Sequence, residues 1–328
     1  MKSKRFLEAF LFVVLGCILT VIPAVPSWSQ PAYPTKPINL YIPYSPGGVG
    51  DISIRFMATK AEKILGQPFV ITNNGAGAGS VAFAIVAKKP ADGYTILGGG
   101  NSAFTRIPQF RTVPYKPDDM TPIMHFATPA LTPILVKSTA PWKTFKELVD
   151  YAKKNPGKIS YSTMGIGSPM HLAMEYVAKQ EGINWTHIPF SGSMPAFTAL
   201  LGDHVNVNVG AGESVPYIKD GTIRVLANLS ERRVKAWPNV PTLREMGYDN
   251  FNESIFMFSA PKGTPQYIIE KLQNAFHKVM DDPEFAAMIT KVEFDASYRG
   301  AADTKKYLDD AYNRLGKMIQ ELKLPKQD

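Results

Sequence analysis

Five clusters of glycine each follow a short run of β-forming residues, and this repeated join constrains the fold more than any other feature of the chain. The clusters lie at 47–50, 75–79, 98–100, 165–167 and 210–212. The first shows the pattern most fully. Ile38-Asn39-Leu40-Tyr41-Ile42 reads as a strand. Tyr44-Ser45-Pro46-Gly47-Gly48-Val49-Gly50-Asp51 is then a sharp turn, and Ile52, Phe56, Ile64 and Leu65 recur at helical spacing behind it. Glycine admits positive φ and lets another group approach the backbone closely. The helix directs unpaired N–H groups and a partial positive charge into the turn. That arrangement suits an anion such as a carboxylate or phosphate. An ordinary strand-to-helix turn, with glycines serving packing alone, is equally compatible with this stretch by itself.

The same succession recurs along the chain. Phe69–Thr72, Tyr94–Leu97, Ile134–Val136, Lys158–Ser162, Val205–Val209 and Ile223–Ala227 read as strands, and another begins near Phe256. Residues 111–122, with Pro114, Pro117 and Pro122, read as loop. Helix starts are marked by a Thr144-x-x-Glu147 capping box, by Ser168 before Pro169, by Thr264 before Pro265, by Asp282-Pro283 and by Asp303, the last helix running to about Leu322. Alternation of this kind predicts an α/β fold with parallel sheets covered by helices. In open α/β sheets ligands bind beyond the carboxyl ends of the strands. Glycine clusters in both halves therefore predict two lobes facing each other across a cleft.

Lys2, Lys4 and Arg5 precede an apolar run from Phe6 to Val25, followed by Ser27 and Ser29. Residues 1–29 read as a secretory signal peptide cleaved after Ser29. An uncleaved anchor is the alternative, because the run approaches the ~20 residues that span a bilayer. Cys17 follows Val14-Leu15-Gly16 and loosely resembles a lipoprotein site, but the chain stays apolar after it. It is the sole cysteine, so the mature chain has no disulfide and no thiol nucleophile. No later apolar run is long enough to span a bilayer, and a soluble exported protein is expected. The net charge of +8 includes Lys2, Lys4 and Arg5 against Glu8, and the remainder is dispersed. It is compatible with anionic ligands and gives no nucleic-acid footprint.

The motifs of common enzymes are missing or better explained otherwise. Gly77-Ala78-Gly79-Ser80-Val81-Ala82 fits a dinucleotide fingerprint, but no acidic residue closes a second strand about 20 residues on. There is no G-x-S-x-G elbow and no phosphate-binding P-loop. His125, His171, His187, His204 and His277 show no metal-ligand spacing. No enzyme activity, cofactor or metal is expected. His171, in the first turn after Gly167, either lines the cleft or is a partly buried structural histidine. Asp51 caps its helix or meets a donor on a ligand, and as an exposed pair with Arg55 it would contribute little.

These residues resemble a known family, the substrate-binding proteins of tripartite tricarboxylate transporters, or Bug/TctC-like proteins. The resemblance is carried by Tyr44-x-Pro46-Gly47-Gly48-x-x-Asp51-x-x-x-Arg55, by Asn74–Gly79 and by Ala91-Asp92-Gly93-Tyr94. It continues through Tyr161-Ser162-x-x-Gly165-x-Gly167-Ser168-x-x-His171, Pro189–Gly192, Gly221–Ala227, Val240-Pro241-Thr242-Leu243 and Ala260–Pro265. It covers nearly all of the mature chain. It implies a type II periplasmic binding protein fold, with lobe 1 from residues 31–135 and 255–328, lobe 2 from 136–254, and two crossover strands as a hinge. It implies a small organic acid anion as ligand, held on main-chain N–H groups of the glycine loops, which points to Pro46, Gly47, Gly48, Asp51, Ala76, Gly77, Ala78 and Gly79. From lobe 2 it implies Thr163, Gly165, Gly167, Ser168, Ser191, Gly192 and Ser193. Tyr44, Asn101 and His171 are further candidates for the cleft. The implied partner is a membrane permease of one large and one small subunit, served by a monomer in the periplasm. A sensor presenting its closed form to a membrane receptor, and an exported hydrolase, are the alternatives. Ser80 and Ile255-Phe256 depart from the family pattern, where glycine and tryptophan are common, and loosen any transfer of ligand identity.

Overall fold

A computed structural model describes residues 31–322 apart from 231, 235 and 249–253. The expected signal peptide at 1–29 lies outside the described residues. Eleven strands are present among them: β1 Ile38–Ile42, β2 Phe69–Asn73, β3 Thr95–Gly100, β4 Met120–Pro129, β5 Pro133–Lys137, β6 Ser160–Thr163, β7 Thr186–Pro189, β8 Val207–Val209, β9 Ile223–Asn228, β10 Phe256–Pro261 and β11 Phe294–Gly300. The helices of eight residues or more are α1 Val49–Leu65, α2 Ser80–Ala87, α3 Phe145–Lys154, α4 Pro169–Glu181, α5 Ser193–Leu201, α6 Gln266–Val279, α7 Pro283–Lys291 and α8 Ala301–Leu322.

The strands form two sheets, one per lobe. The first has the order β11-β4-β10-β3-β1-β2 and the second β7-β6-β8-β5-β9. The expected two-lobed α/β architecture is present, but the sheets are mixed rather than mainly parallel. β1 pairs in parallel with β2 and β3, whereas β10 is antiparallel to β3 and β4, and β11 to β4. In the second sheet β6 is parallel to β7 and β8, whereas β5 is antiparallel to β8 and β9. The periodicity of a strand reports which face is buried and not which way it runs.

Apolar periodicity explains the helices. Ile54, Met57, Ala58, Ala61 and Leu65 form the buried stripe of α1, which ends at Gly66 in the left-handed region. Leu40, Ile96, Phe258 and Phe276 belong to the first lobe's core, with the rings of Phe258 and Phe276 stacked 3.9 Å apart. Tyr161, Val177, Trp185 and Val207 belong to the second lobe's core.

Several local expectations hold and others shift. Ser168 caps α4 by accepting from the His171 N–H at 3.2 Å, with Pro169 as first helical residue. Asp282 caps α7 by accepting from Glu284 N–H. Thr144 accepts from Glu147 N–H, but the Glu147 carboxylate takes the N–H of Lys143 instead of closing the box on Thr144. Thr264 does not cap α6: Pro265 occupies the cap position, and the Thr264 hydroxyl donates to Pro261 O. The last helix starts at Ala301, two residues before Asp303. Met120–Pro122, read as loop, opens β4. Pro122 is tolerated because β11 pairs only with Met124 to Pro129, so no ladder bond is required of its missing N–H on that side. Among the described residues no helix is long and apolar enough to cross a membrane.

Candidate functional site

Four helices begin at the cleft: α1 after Gly48, α2 after Gly79, α4 after Ser168 and α5 after Gly192. The three glycine caps make no side-chain cap bond. First-turn N–H groups there are left without a capping side chain, and the helix dipoles add positive potential. Between the lobes lies a cavity of about 60 Å³ open to water centres, room for roughly four to six waters. Gly48 and Val49 of α1, Gly192 and Ser193 of α5 and Met170 of α4 line it, with Phe256 and Phe294. A smaller cavity of about 20 Å³ adjoins it against Ala78, Gly79 and Ser168. The two share Tyr44, Gly100, Ser102 and Met164. No residue lining either cavity carries a charged side chain, among the described residues.

The lobes touch at the rim of the cleft. A Cβ at Gly75 would sit 2.9 Å from Ser191 O, and one at Gly165 would sit 3.1 Å from Ala78 Cβ. Both glycines allow the opposing loops to approach. Ser45 Oγ faces Ser191 O at 3.5 Å.

Asp51 lies behind the wall rather than on it. Its carboxylate accepts from Gly47 N–H at 3.1 Å, Asn73 Nδ2 at 2.8 Å and Arg55 Nη2 at 2.9 Å. Asn73 also donates to Tyr44 O at 3.0 Å, tying the first turn to the end of β2. Burial opposes ionisation, but the bonds from Asn73, Arg55 and Gly47 prevail and hold the carboxyl below its ordinary range. The Asp51 side chain is 5% exposed and that of Arg55 43%, so this is a half-buried brace and not the exposed pair expected. Tyr44 packs on Phe256, and its hydroxyl accepts from Gly100 N–H at 2.6 Å. Burial pushes that phenol up to about 12.

Asn101 is fully buried, and its Oδ1 accepts from Arg106 Nη2 at 3.0 Å and from Ile255 N–H at 3.4 Å. Arg106, which sequence reasoning missed, also donates to Ser102 Oγ at 2.8 Å. Burial pulls its guanidinium down to about 10. It thus places a buried cation behind the cavity-lining Ser102. Nothing in its neighbourhood of Thr105, Ile107 and Pro108 marks it in sequence.

The second lobe supports its loop differently. The Thr163 hydroxyl lies 2.8 Å from His187 Nε2, and His187 stacks on His171 at 4.2 Å. His171 Nδ1 accepts from Gly167 N–H at 3.3 Å. Desolvation pulls His171 down to about 4, and desolvation with the neighbouring His171 pulls His187 down to about 3. Thr163, Gly167 and His171 thus form a layer beneath the wall, and Gly165 meets Ala78 at the rim. Of the expected site residues, Tyr44, Gly48, Gly192 and Ser193 line the larger cavity and Ala78, Gly79 and Ser168 the smaller. Pro46, Gly47, Asp51, Ala76, Gly77, Asn101 and Ser191 line neither. Ser102, Met164 and Phe294 line the larger cavity without having been expected there, and Ala211 represents the expected 210–212 cluster. Ala78 stands in the left-handed region at φ 55°, a conformation uncommon for alanine, at the cavity edge.

Two α/β lobes closing on an uncharged cavity ringed by helix N-termini define a two-lobed solute-binding protein. The chain belongs to the family described as the tripartite tricarboxylate transporter family receptor, whose pattern matches residues 53–324. It is 35% identical over 306 residues to a UPF0065 protein encoded in the gbd 5′ region of Cupriavidus necator, covering 92% of this chain and 93% of the relative. Among solved structures it is similar to the periplasmic binding protein BugD, with a TM-score of 0.83 and 28% identity over 90% of this chain and all of the other. It is also similar to R. palustris Rpa4515 with adipate, with a TM-score of 0.83 and 26% identity over 90% of this chain and 99% of that one. MatC from Rhodopseudomonas palustris with bound malate gives a TM-score of 0.80 and 25% identity, over 88% of this chain and all of that one.

Proposed function

We propose that the cleft captures a small organic carboxylate in the periplasm and that the loaded protein delivers it to a membrane permease of one large and one small subunit. The observation that carries this reading is that two helix N-termini without side-chain caps, α1 and α5, meet at the larger cavity and a third, α2, at the adjoining one, with no charged side chain lining either among the described residues. Such N–H groups satisfy a carboxylate without an ion pair. The walls of Val49, Met164, Met170, Phe256 and Phe294 favour a ligand whose body is apolar. Adipate and malate in structurally similar proteins support the same class. Residues 31–135 with 255–328, and residues 136–254, act as the two lobes, opening about the strands that cross between them. Residues 1–29 direct export and are removed by cleavage after Ser29. The reading is tested by thermal unfolding of the exported protein against a panel of mono-, di- and tricarboxylates. A cognate acid raises the melting temperature in a concentration-dependent way. A panel in which no acid shifts melting overturns it.

A further inference from the structure

Glu213 is a buried carboxyl for which the binding site as described has no use. It lies in the short turn Gly212–Ser214 after β8, next to cavity-lining Ala211. Both of its carboxyl oxygens are shut off from solvent, and neither makes a hydrogen bond of good geometry. The nearest groups favouring its charge are its own N–H, the Ser193 hydroxyl and the Ala211 backbone. Burial raises it above the ordinary carboxylate range, and no charged group contributes. Gly212 packs against Val292, and the next residue, Glu293, interacts with Lys219 and Asp295. On α1, Asp51 is tied to Arg55. A buried polar group left in this state calls for an explanation.

Ser193 supplies it. Its hydroxyl lies beside Glu213 on one side and lines the cavity on the other, 3.6 Å from where a Cβ on Gly48 would stand. A hydroxyl has one proton to give. If Glu213 is ionised, it takes that proton in a hydrogen bond and leaves a serine lone pair facing an incoming anion. If Glu213 is protonated, it donates to Ser193 Oγ and the serine proton is free to point at the anion.

We propose that Glu213 is a positioning residue that acts as a neutral acid, orienting the Ser193 hydroxyl as a donor, so that binding of an organic anion draws from solvent the fraction of a proton that the free Glu213 carboxyl lacks. This rests on the carboxylate reading of the cleft. Anion and proton then bind together, and affinity falls as pH rises, by roughly tenfold for each unit by which the anion raises the carboxyl's pKa.

The test is calorimetric titration with adipate, malate and benzoate between about pH 6 and about pH 8.5, above the ordinary range of the probes' own carboxyls. Buffers of different ionisation enthalpy count the protons taken up. Wild-type protein should take up part of a proton per anion, and its affinity should decline across the range. Glu213→Gln keeps a donor for Ser193 Oγ and carries no titrating proton, so uptake and pH slope should vanish while binding persists. Should that variant fail to fold, Ser193→Ala should remove the proton uptake with Glu213 intact. Binding without proton uptake in the wild type, or uptake unchanged in both variants, overturns the proposal and leaves carboxylate capture standing. Absence of binding by every probe overturns the carboxylate reading itself.

Discussion

The loop Tyr44–Gly50 on the first lobe is held by charge, through Asp51, Arg55 and Asn73. The facing loop Thr163–Ser168 on the second lobe rests on two imidazoles that burial keeps neutral. The two braces do the same mechanical work with opposite ionisation. Asp51 supports its loop only when charged, and His171 and His187 fit theirs only when uncharged. Two surfaces that must meet on one ligand therefore answer differently to acid.

The comparison breaks most directly at Gly48, whose missing side chain keeps the first loop open toward Ser193. Gly48→Val should weaken binding roughly a thousandfold, because its branches fill the space an anion would use. Its φ of −76° is ordinary for valine, so melting should stay within a few degrees. Calorimetry showing near-normal affinity would remove the first loop from the site. The charged brace is tested next by Asp51→Ala, which removes the carboxylate accepting from Arg55, Asn73 and the Gly47 N–H. Urea denaturation should report a loss of about 3 kcal/mol, and a loss below about 1 kcal/mol would mean that the brace is decorative.

Acid separates the two loops. Both histidines have folded values below the unfolded 6.5, so the unfolded chain binds more protons over the interval between. Their contribution is fully present above that unfolded value and disappears as pH falls toward the folded values near 4 and 3. Asp51, depressed from 3.8, keeps its contribution until pH falls below that value. Denaturation between about pH 6.5 and about pH 4 should therefore show a loss on the order of 2 kcal/mol per histidine. The slope should be shallower in His187→Gln, and an unaltered slope would assign the acid response elsewhere. The buried His125, pulled down to about 4, adds to the same interval from the first lobe's sheet and is the control substitution. Arg55→Ala should have the smallest effect, below about 1 kcal/mol, since Arg55 is 43% exposed and solvent screens its charge.

Much of this arrangement was legible beforehand. Glycine after a β-forming run located the wall turns at Gly48 and Gly79, because a backbone that must turn sharply leaves its mark in residue type, whereas Gly192 was reached through the family resemblance. The cap at Ser168 was legible for the same local reason. What escaped was long-range. Asn73 reaches Asp51 across 22 positions, Arg106 stands behind Ser102, and Glu213 sits beside Ser193. None of these has a spacing that sequence alone can single out. β4 was obscured by Pro122, and β11 by the polar run Asp295-Ala296-Ser297 on a sheet edge. The direction of β5 and β10 was not encoded in their periodicity at all.

The strand order has a bearing on how the molecule comes into being. All strands of the second sheet lie between Pro133 and Asn228, so that sheet can pair as soon as this one uninterrupted stretch is available, and Leu243, Met246 and Tyr248 follow directly to close its core. The first sheet is stitched from both ends, with β10 wedged between β4 and β3 at its centre. Where a chain is delivered from its amino end, the earlier lobe in sequence is the later one to be finished, and β1 to β4 wait with a gap at their middle until Phe256–Pro261 emerges. A stall or truncation before that point leaves the second sheet paired and the first with β4 unpaired on both sides and β3 on one, and such open edges are the places where chains of this kind are most prone to pair with the wrong neighbour.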